Sequence, residues 1–236
     1  MMSDVAANLG EIKDRVAAAC SRAARDVDSV ELVAVSKTFP ADAVRDAVAA
    51  GHACFGESKL QEAEGKIDLL PGHLHWHFIG GVQRNKVRRI LQKFEVIHAI
   101  DSLRLASYTD EIAKELGLFP KVFLQVNVGG EASKGGFEPE TIRAEIDALL
   151  ALERLEILGL MTIPPVGPDA ESARHWFVDL RNLRDELARE SGVPLSFLSM
   201  GMSGDFEVAI EEGATHVRVG TAIFGKRAYR VDGELG

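Results

Sequence analysis

Short apolar runs, many of them β-branched, alternate along the chain with longer segments whose apolar residues recur every three to four positions. Eight runs predict strands: 31–36 (ELVAVS), 53–56 (ACFG), 74–80 (LHWHFIG), 95–100 (EVIHAI), 121–128 (KVFLQVNV), 156–163 (EILGLMTI), 195–201 (LSFLSMG) and 215–220 (THVRVG). Helical periodicity follows each run, beginning near Ala41, Glu57, Gln83, Asp101, Glu138, Ala170, Ser203 and Thr221. It is clearest in ESARHWFVDLRNLRDELARE, where the spacing sets Trp176, Leu180, Leu183 and Leu187 on one face. A further helix precedes the first strand, with Val5, Leu9, Ile12, Val16, Cys20 and Ala23 at helical spacing. Several strands are apolar on both faces, as parallel strands covered by helices are. Eight such units in 236 residues predict an α/β protein, a (β/α)8 TIM-type barrel with an extra N-terminal helix, over an open doubly wound sheet. No linker, low-complexity tract or charge block interrupts the pattern, so 1–236 reads as one domain.

Composition narrows the setting. The chain is 46% hydrophobic and 27% charged, within the range of globular proteins. A net charge of −9 argues against broad electrostatic binding to nucleic acid or to an anionic membrane, while leaving room for a local anion pocket. Cys20 and Cys54 give no disulfide framework. The N-terminus MMSDVAANLGEIKDR lacks the pattern of a secretion signal, and no apolar run is long enough to cross a bilayer. A cytoplasmic protein is expected. A monomer is expected too, because the closed barrel leaves no long apolar face over.

Barrel enzymes and binding proteins carry their sites at the carboxyl ends of the strands. Lys37 ends the first strand run, on the same face as Val33 and Val35. An amine among apolar neighbours is a candidate for a lowered pKa and imine formation; the plain alternative is a rim lysine that snorkels to solvent or pairs with a carboxylate. After the seventh and eighth strands come SMGMSGD (199–205) and RVGTAIFG (218–225). Ser203, Gly220 and Thr221 there suit a phosphate cradle, at the two loops where barrels often build one, or ordinary turn and cap chemistry. Arg218, between two valines, needs a buried partner, either a carboxylate or an acceptor atom on a ligand. His73, His75 and His77 alternate in GHLHWHF, but few His or Asp ligands stand at the other strand ends, so no metal site is expected.

The segments LVAVSKTFP, FGESKLQE, WHFIGGVQRNK, LQVNVGGEASKGGF, LGLMTIP and LSMGMSGDFEVAIEEGATHVRVGTAIFG resemble, in order and spacing, the pyridoxal phosphate homeostasis protein family, single-domain relatives of the alanine racemase barrel. The resemblance covers nearly the whole chain. It implies pyridoxal 5′-phosphate (PLP) held by Lys37 as a Schiff base. Ser203, Gly220 and Thr221 would hold the phosphate, and Arg218 would lie near the pyridine nitrogen, where it disfavours a protonated ring. His77, Met161 and Met200 would line the pocket, and Lys134 would be a second amine near the cofactor. The chain departs from the family where Gly-Glu-Asn-Tyr becomes Gly56-Glu57-Ser58-Lys59, leaving Ser58 as a substitute for the asparagine contact. It departs again at Gly81, Arg84 and Gly135.

The family resemblance implies a role in cytosolic PLP (vitamin B6) homeostasis, buffering or delivery, and an indirect influence on amino-acid balance. PLP-dependent apoenzymes would be the recipients. No catalytic residue is assigned. Racemisation favours a lid and a second, opposed base. Tyr108 and Tyr229 are the only tyrosines and neither falls at a predicted strand end, while the sequence stops at Gly236 just past the last helix. Binding is therefore expected rather than turnover. A PLP-dependent racemase-like enzyme, or a Schiff-base aldolase without cofactor, are the alternatives.

Overall fold

The computed structural model describes residues 5–131 and 135–225. Eight parallel strands, β1 (Glu31–Val35), β2 (Cys54–Glu57), β3 (His75–Phe78), β4 (Val96–Ile100), β5 (Lys121–Gln125), β6 (Glu156–Met161), β7 (Phe197–Met202) and β8 (His216–Val219), close into a barrel in chain order. Closure runs through β1 and β8, where Leu32 pairs with Val217 and Ala34 with Val219. Between the strands lie α2 (Ala41–Ala49), α3 (Leu60–Ile67), α4 (Val87–Leu91), α5 (Leu103–Leu116), α6 (Pro139–Leu150), α7 (Arg174–Ser191) and α8 (Phe206–Glu211), and α9 (Thr221–Phe224) follows β8. The predicted TIM-type barrel is what the chain forms.

The N-terminal helix α1 (Val5–Arg22) buries Val5, Leu9, Ile12, Val16, Ala19 and Cys20. It packs over the seam where the barrel closes. Asn8 Nδ2 donates to the Ile223 carbonyl at 2.9 Å, and Arg15 pairs with Glu207 of α8 at 2.7 Å. The short helices α8 and α9 leave this side thin, and α1 supplies the missing cover.

Side chains alternate between two cores. Outward-facing residues such as Leu32, Ala34, Phe55, Leu124, Leu160 and Leu198 join the helices in one large cluster. Inward-facing Val96, Ala99, Phe123 and Met161 form a smaller one inside the barrel. Gly56 faces inward as well: a Cβ there would lie 2.9 Å from Val33 Cγ1. Part of the interior is polar, with His77, His98, Ser199 and Arg218 all buried.

Three local expectations change. The helix predicted from Glu57 starts later, at Leu60, because Glu57 is the last residue of β2 and fully buried. The fifth strand is shorter than 121–128, and Val126 makes an isolated bridge to Phe137. On α7 the buried stripe is Phe177, Leu180, Leu183 and Leu187, so Phe177 takes the place expected of Trp176. Among the described residues no helix is long and apolar enough to cross a membrane.

Candidate functional site

The site begins with the turn after β1. Ser36, Lys37 and Thr38 leave the strand, and Thr38 takes a left-handed φ of 71°, uncommon for a residue with a branched side chain. A buried polar cluster holds this turn on both sides of Lys37. Ser36 Oγ donates to Glu57 Oε1 at 2.6 Å. Lys66 Nζ donates to the Ser36 carbonyl at 2.8 Å and to Glu57 Oε1 at 2.5 Å. The Thr38 amide donates to Glu62 Oε1, which also lies 2.9 Å from Lys66 Nζ. Burial pushes the Glu57 carboxyl up, against the pull of the Lys66 ammonium. Its Oε2 is buried without a hydrogen-bond partner among the described residues.

Arg218 enters from β8. Its Nη1 donates to Ser199 Oγ at 2.5 Å and its Nη2 to the Thr162 carbonyl at 2.9 Å. Burial lowers the guanidinium to about 10, with Asp205 opposing the shift; it stays a cation at neutral pH. Among the described residues no carboxylate pairs directly with this arginine; a hydroxyl and a carbonyl hold it.

The loops after β7 and β8 meet beside it. Asp205 Oδ1 accepts from the Met202 amide at 2.6 Å and closes the β7 turn. Ser203 Oγ then accepts from the Gly220 amide at 3.2 Å and from the Ala222 amide at 3.5 Å, joining the two loops. Gly220 lies against β1, where a Cβ would approach the Val35 carbonyl oxygen to 3.1 Å. A side chain there would crowd the space between Lys37 and the loop.

These pieces converge on one cleft at the carboxyl ends of the strands, lined by Lys37, Arg218, Ser203, Gly204, Gly220 and Thr221, with apolar walls of Val35, Phe39, Ile79, Ile163 and Met202. One amine, one guanidinium, two hydroxyls and glycine-rich backbone thus face a mostly apolar slot. That donor set fits a flat, anionic aldehyde. Phosphate oxygens would meet Ser203, Thr221 and the loop amides, and a ring acceptor would meet Arg218.

The remaining candidates stand elsewhere. His77 is in the barrel interior toward the opposite mouth, its ring 3.0 Å from His98 and 3.6 Å from Cys54 Sγ; Ile79, two residues on, takes the wall position. Met161 is fully buried in the inner apolar cluster below the cleft. Met200 faces the helices, and Met202 faces the cleft instead. Met200 follows the alternation of β7, whereas Met202 is turned inward by an irregularity in the β7–β8 pairing between Ser199 and Met202, with Gly201 at a φ of 91°. Ser58 is half-buried after β2, its carbonyl packed against Gly80, and is not among the residues lining the cleft. Lys134 lies outside the described residues. Glu57, Lys66 and Glu62, none of them expected at the site from the sequence, hold its β1 turn. Their signal was a carboxylate closing the apolar run ACFG and a lysine at the buried spacing of Leu60 and Ala63.

Fold and cleft define a barrel of the alanine racemase type, and the profile of the alanine racemase N-terminal domain family matches residues 7–228. The pyridoxal phosphate homeostasis protein of Pseudomonas aeruginosa is 46% identical over 230 residues, 97% of this chain and 98% of its own length. That of Aquifex aeolicus is 45% identical over 222 residues, 94% of this chain and 97% of its own. The chain belongs to the pyridoxal phosphate homeostasis protein family. PipY of Synechococcus elongatus, solved with PLP bound, superposes with a TM-score of 0.80 at 42% identity, over 91% of this chain and all (100%) of that one. Alanine racemase of Clostridium difficile shares the fold, with a TM-score of 0.74 at 18% identity over 60% of its own chain.

Proposed function

We propose that this chain binds pyridoxal 5′-phosphate and serves cytoplasmic PLP homeostasis as a carrier, one barrel domain over 1–236 acting as a monomer. The observation that carries the reading is the convergence of Lys37, Arg218, Ser203, Gly220 and Thr221 on one cleft. Lys37 would hold the cofactor through its aldehyde, as a Schiff base formed with loss of water. Ser203, Thr221 and the Gly204 and Gly220 backbone take the phosphate. Arg218 would be the donor for the pyridine nitrogen. As a cation it disfavours ring protonation and weakens the electron sink that PLP supplies to carbanion chemistry. That electronic setting supports storage and delivery to PLP-dependent apoenzymes over turnover, with amino-acid balance affected only through them.

An absorbance titration with PLP tests the reading. The wild-type chain is expected to develop a saturable imine band and Lys37→Ala to develop none. Release is tested by adding a PLP-dependent apoenzyme to the loaded protein and following recovery of that enzyme's activity. Failure to load is the outcome that would sink the carrier proposal.

A further inference from the structure

Below the cleft, the barrel interior carries polar side chains from five strands, where branched aliphatic layers usually fill this fold. Arg218 of β8, Ser199 of β7, His98 of β4, His77 of β3 and Cys54 of β2 are all buried and stand in single file. Arg218 Nη1 lies 2.5 Å from Ser199 Oγ, and Ser199 Oγ lies 2.7 Å from His98 Nδ1. His98 Nε2 is 3.0 Å from His77 Nδ1, and His77 Nε2 is 3.6 Å from Cys54 Sγ. Cys54 and Glu31 line the same cavity at the far end of the file. Glu31 sits at the N-terminal mouth, around a second cavity shared with His75, Glu95, Lys121, Glu156 and His216.

The chemistry of the two ends fixes the direction of every bond between them. A guanidinium only donates. Ser199 Oγ therefore accepts from Arg218 and turns its own proton toward His98 Nδ1. His98 is fully buried and held neutral by loss of solvation, with His77, His216 and Arg218 adding to the effect. An accepting Nδ1 leaves its proton on Nε2, facing His77 Nδ1. His77, lowered to about 4 chiefly by burial, is neutral in the same tautomer and points its Nε2 proton at the Cys54 sulfur. That leaves the thiol proton to point toward Glu31, across the cavity the two residues share. The file runs from cation to anion without a conflict. Reversing any one member would set two donors or two acceptors face to face.

We propose that Ser199 and His98 are positioning residues for Arg218, and that His77 and Cys54 extend this chain so that Glu31 at the opposite mouth helps set the arginine's orientation in the cleft. The effect on the cofactor rests on the proposed PLP reading; the direction of the chain does not.

Two measurements on the full-length chain test it. Long-range nitrogen–proton NMR correlation, recorded without PLP, reports histidine tautomers and guanidinium rotation. The expected result is neutral His98 and His77, both protonated on Nε2, with slowly rotating Arg218 Nη groups. Ser199→Ala should release that rotation and shift His98 Nδ1, Ser199→Thr should restore both, and Glu31→Gln should move the His77 Nε2 signal. A charged His98, a proton on its Nδ1, or signals indifferent to both Ser199→Ala and Glu31→Gln would overturn the chain. The second measurement is a pH titration of the PLP-loaded protein. Loosening the arginine should raise the midpoint of ring protonation by about one unit in Ser199→Ala. His98→Gln, which keeps one acceptor and one donor, should stay nearer the wild-type value. An unmoved midpoint in Ser199→Ala beside a shifted one in Arg218→Lys would refute the positioning role. A chain that takes up no PLP would refute the cofactor reading alone, and the tautomer result would still decide the chain.

Discussion

Lys37 projects from a turn whose geometry depends on a buried ion pair. Lys66 and Glu57 have side chains only 7% and 0% exposed, and between them they grip Ser36, while Glu62 grips Thr38. Removing one partner leaves the other charged and unpaired in the interior, which costs about 3–5 kcal/mol. Lys66→Met is therefore expected to lower stability by roughly that amount, read from the urea midpoint. Because the lost contacts bracket Lys37, the variant should also load PLP more weakly than its remaining folded fraction explains. Glu57→Gln removes the charge but keeps an acceptor for Ser36 Oγ, and should lose less. Arg218 teaches a related lesson. Its two partners, Ser199 and the Thr162 carbonyl, stand 19 and 56 residues away in sequence. A strand pattern says that an arginine is buried; it does not say which neighbouring strand answers it. Lys37 and the loops of Ser203 and Thr221 were legible because strand ends are where this fold exposes chemistry. Thr162 and Ser199 were not, being contacts between strands whose register the sequence leaves open.

At the level of elements, β7 shows where periodicity stops being a guide. Alternation from Phe197 onward would put Met200 on one face and Gly201 on the other through an unbroken strand. Met200 stays among the helices beside Leu198 as alternation requires, but the irregular pairing near Gly201 turns Met202, which should follow it outward, into the cleft. Gly201 has a φ of 91°, and a Cβ there would come within 2.6 Å of Ala209 Cβ on α8. Gly201→Ala is expected to cost about 1–3 kcal/mol from the backbone alone, with the clash adding to it. Thermal unfolding checks the stability loss. Weaker retention of PLP should accompany it, since Met202 and Ser203 lie directly beyond. The long helices α1, α5, α6 and α7 each bury one apolar stripe, although on α7 Phe177 rather than Trp176 begins it. At the β2–α3 junction the helix expected from near Glu57 begins at Leu60 instead, and Glu57 ends β2 in an ion pair with Lys66.

Across the whole molecule, burial of histidine sets the response to acid. His52 and His77 are lowered to about 4 and His216 to about 3, in each case chiefly by burial, and His98 is lowered as well. The unfolded chain takes up protons on these rings near pH 6.5, whereas the folded chain does not. Stability that is complete above about pH 6.5 should therefore drain away as the pH falls toward 4, by up to about 3 kcal/mol for His77 alone. Glu57, raised by burial, acts in the opposite sense: its share declines as the pH climbs above the ordinary carboxylate range. Urea midpoints between pH 7 and pH 4 are expected to fall, with a shallower slope in His77→Gln. A flat profile would mean that the interior histidines are hydrated. The same interior places the Arg218 cation in the cleft, and its proposed approach to the cofactor ring is the physical case for a carrier. Steady conversion of an amino acid by the wild-type chain, lost in Lys37→Ala, would replace the carrier with a racemase-like enzyme.

The central claim is that Lys37 holds PLP covalently, and borohydride reduction of the loaded protein followed by peptide mapping tests it most directly. The imine band is expected to vanish on reduction and one pyridoxyl group to appear on Lys37. A pyridoxyl group on another lysine, or none at all, would contradict it.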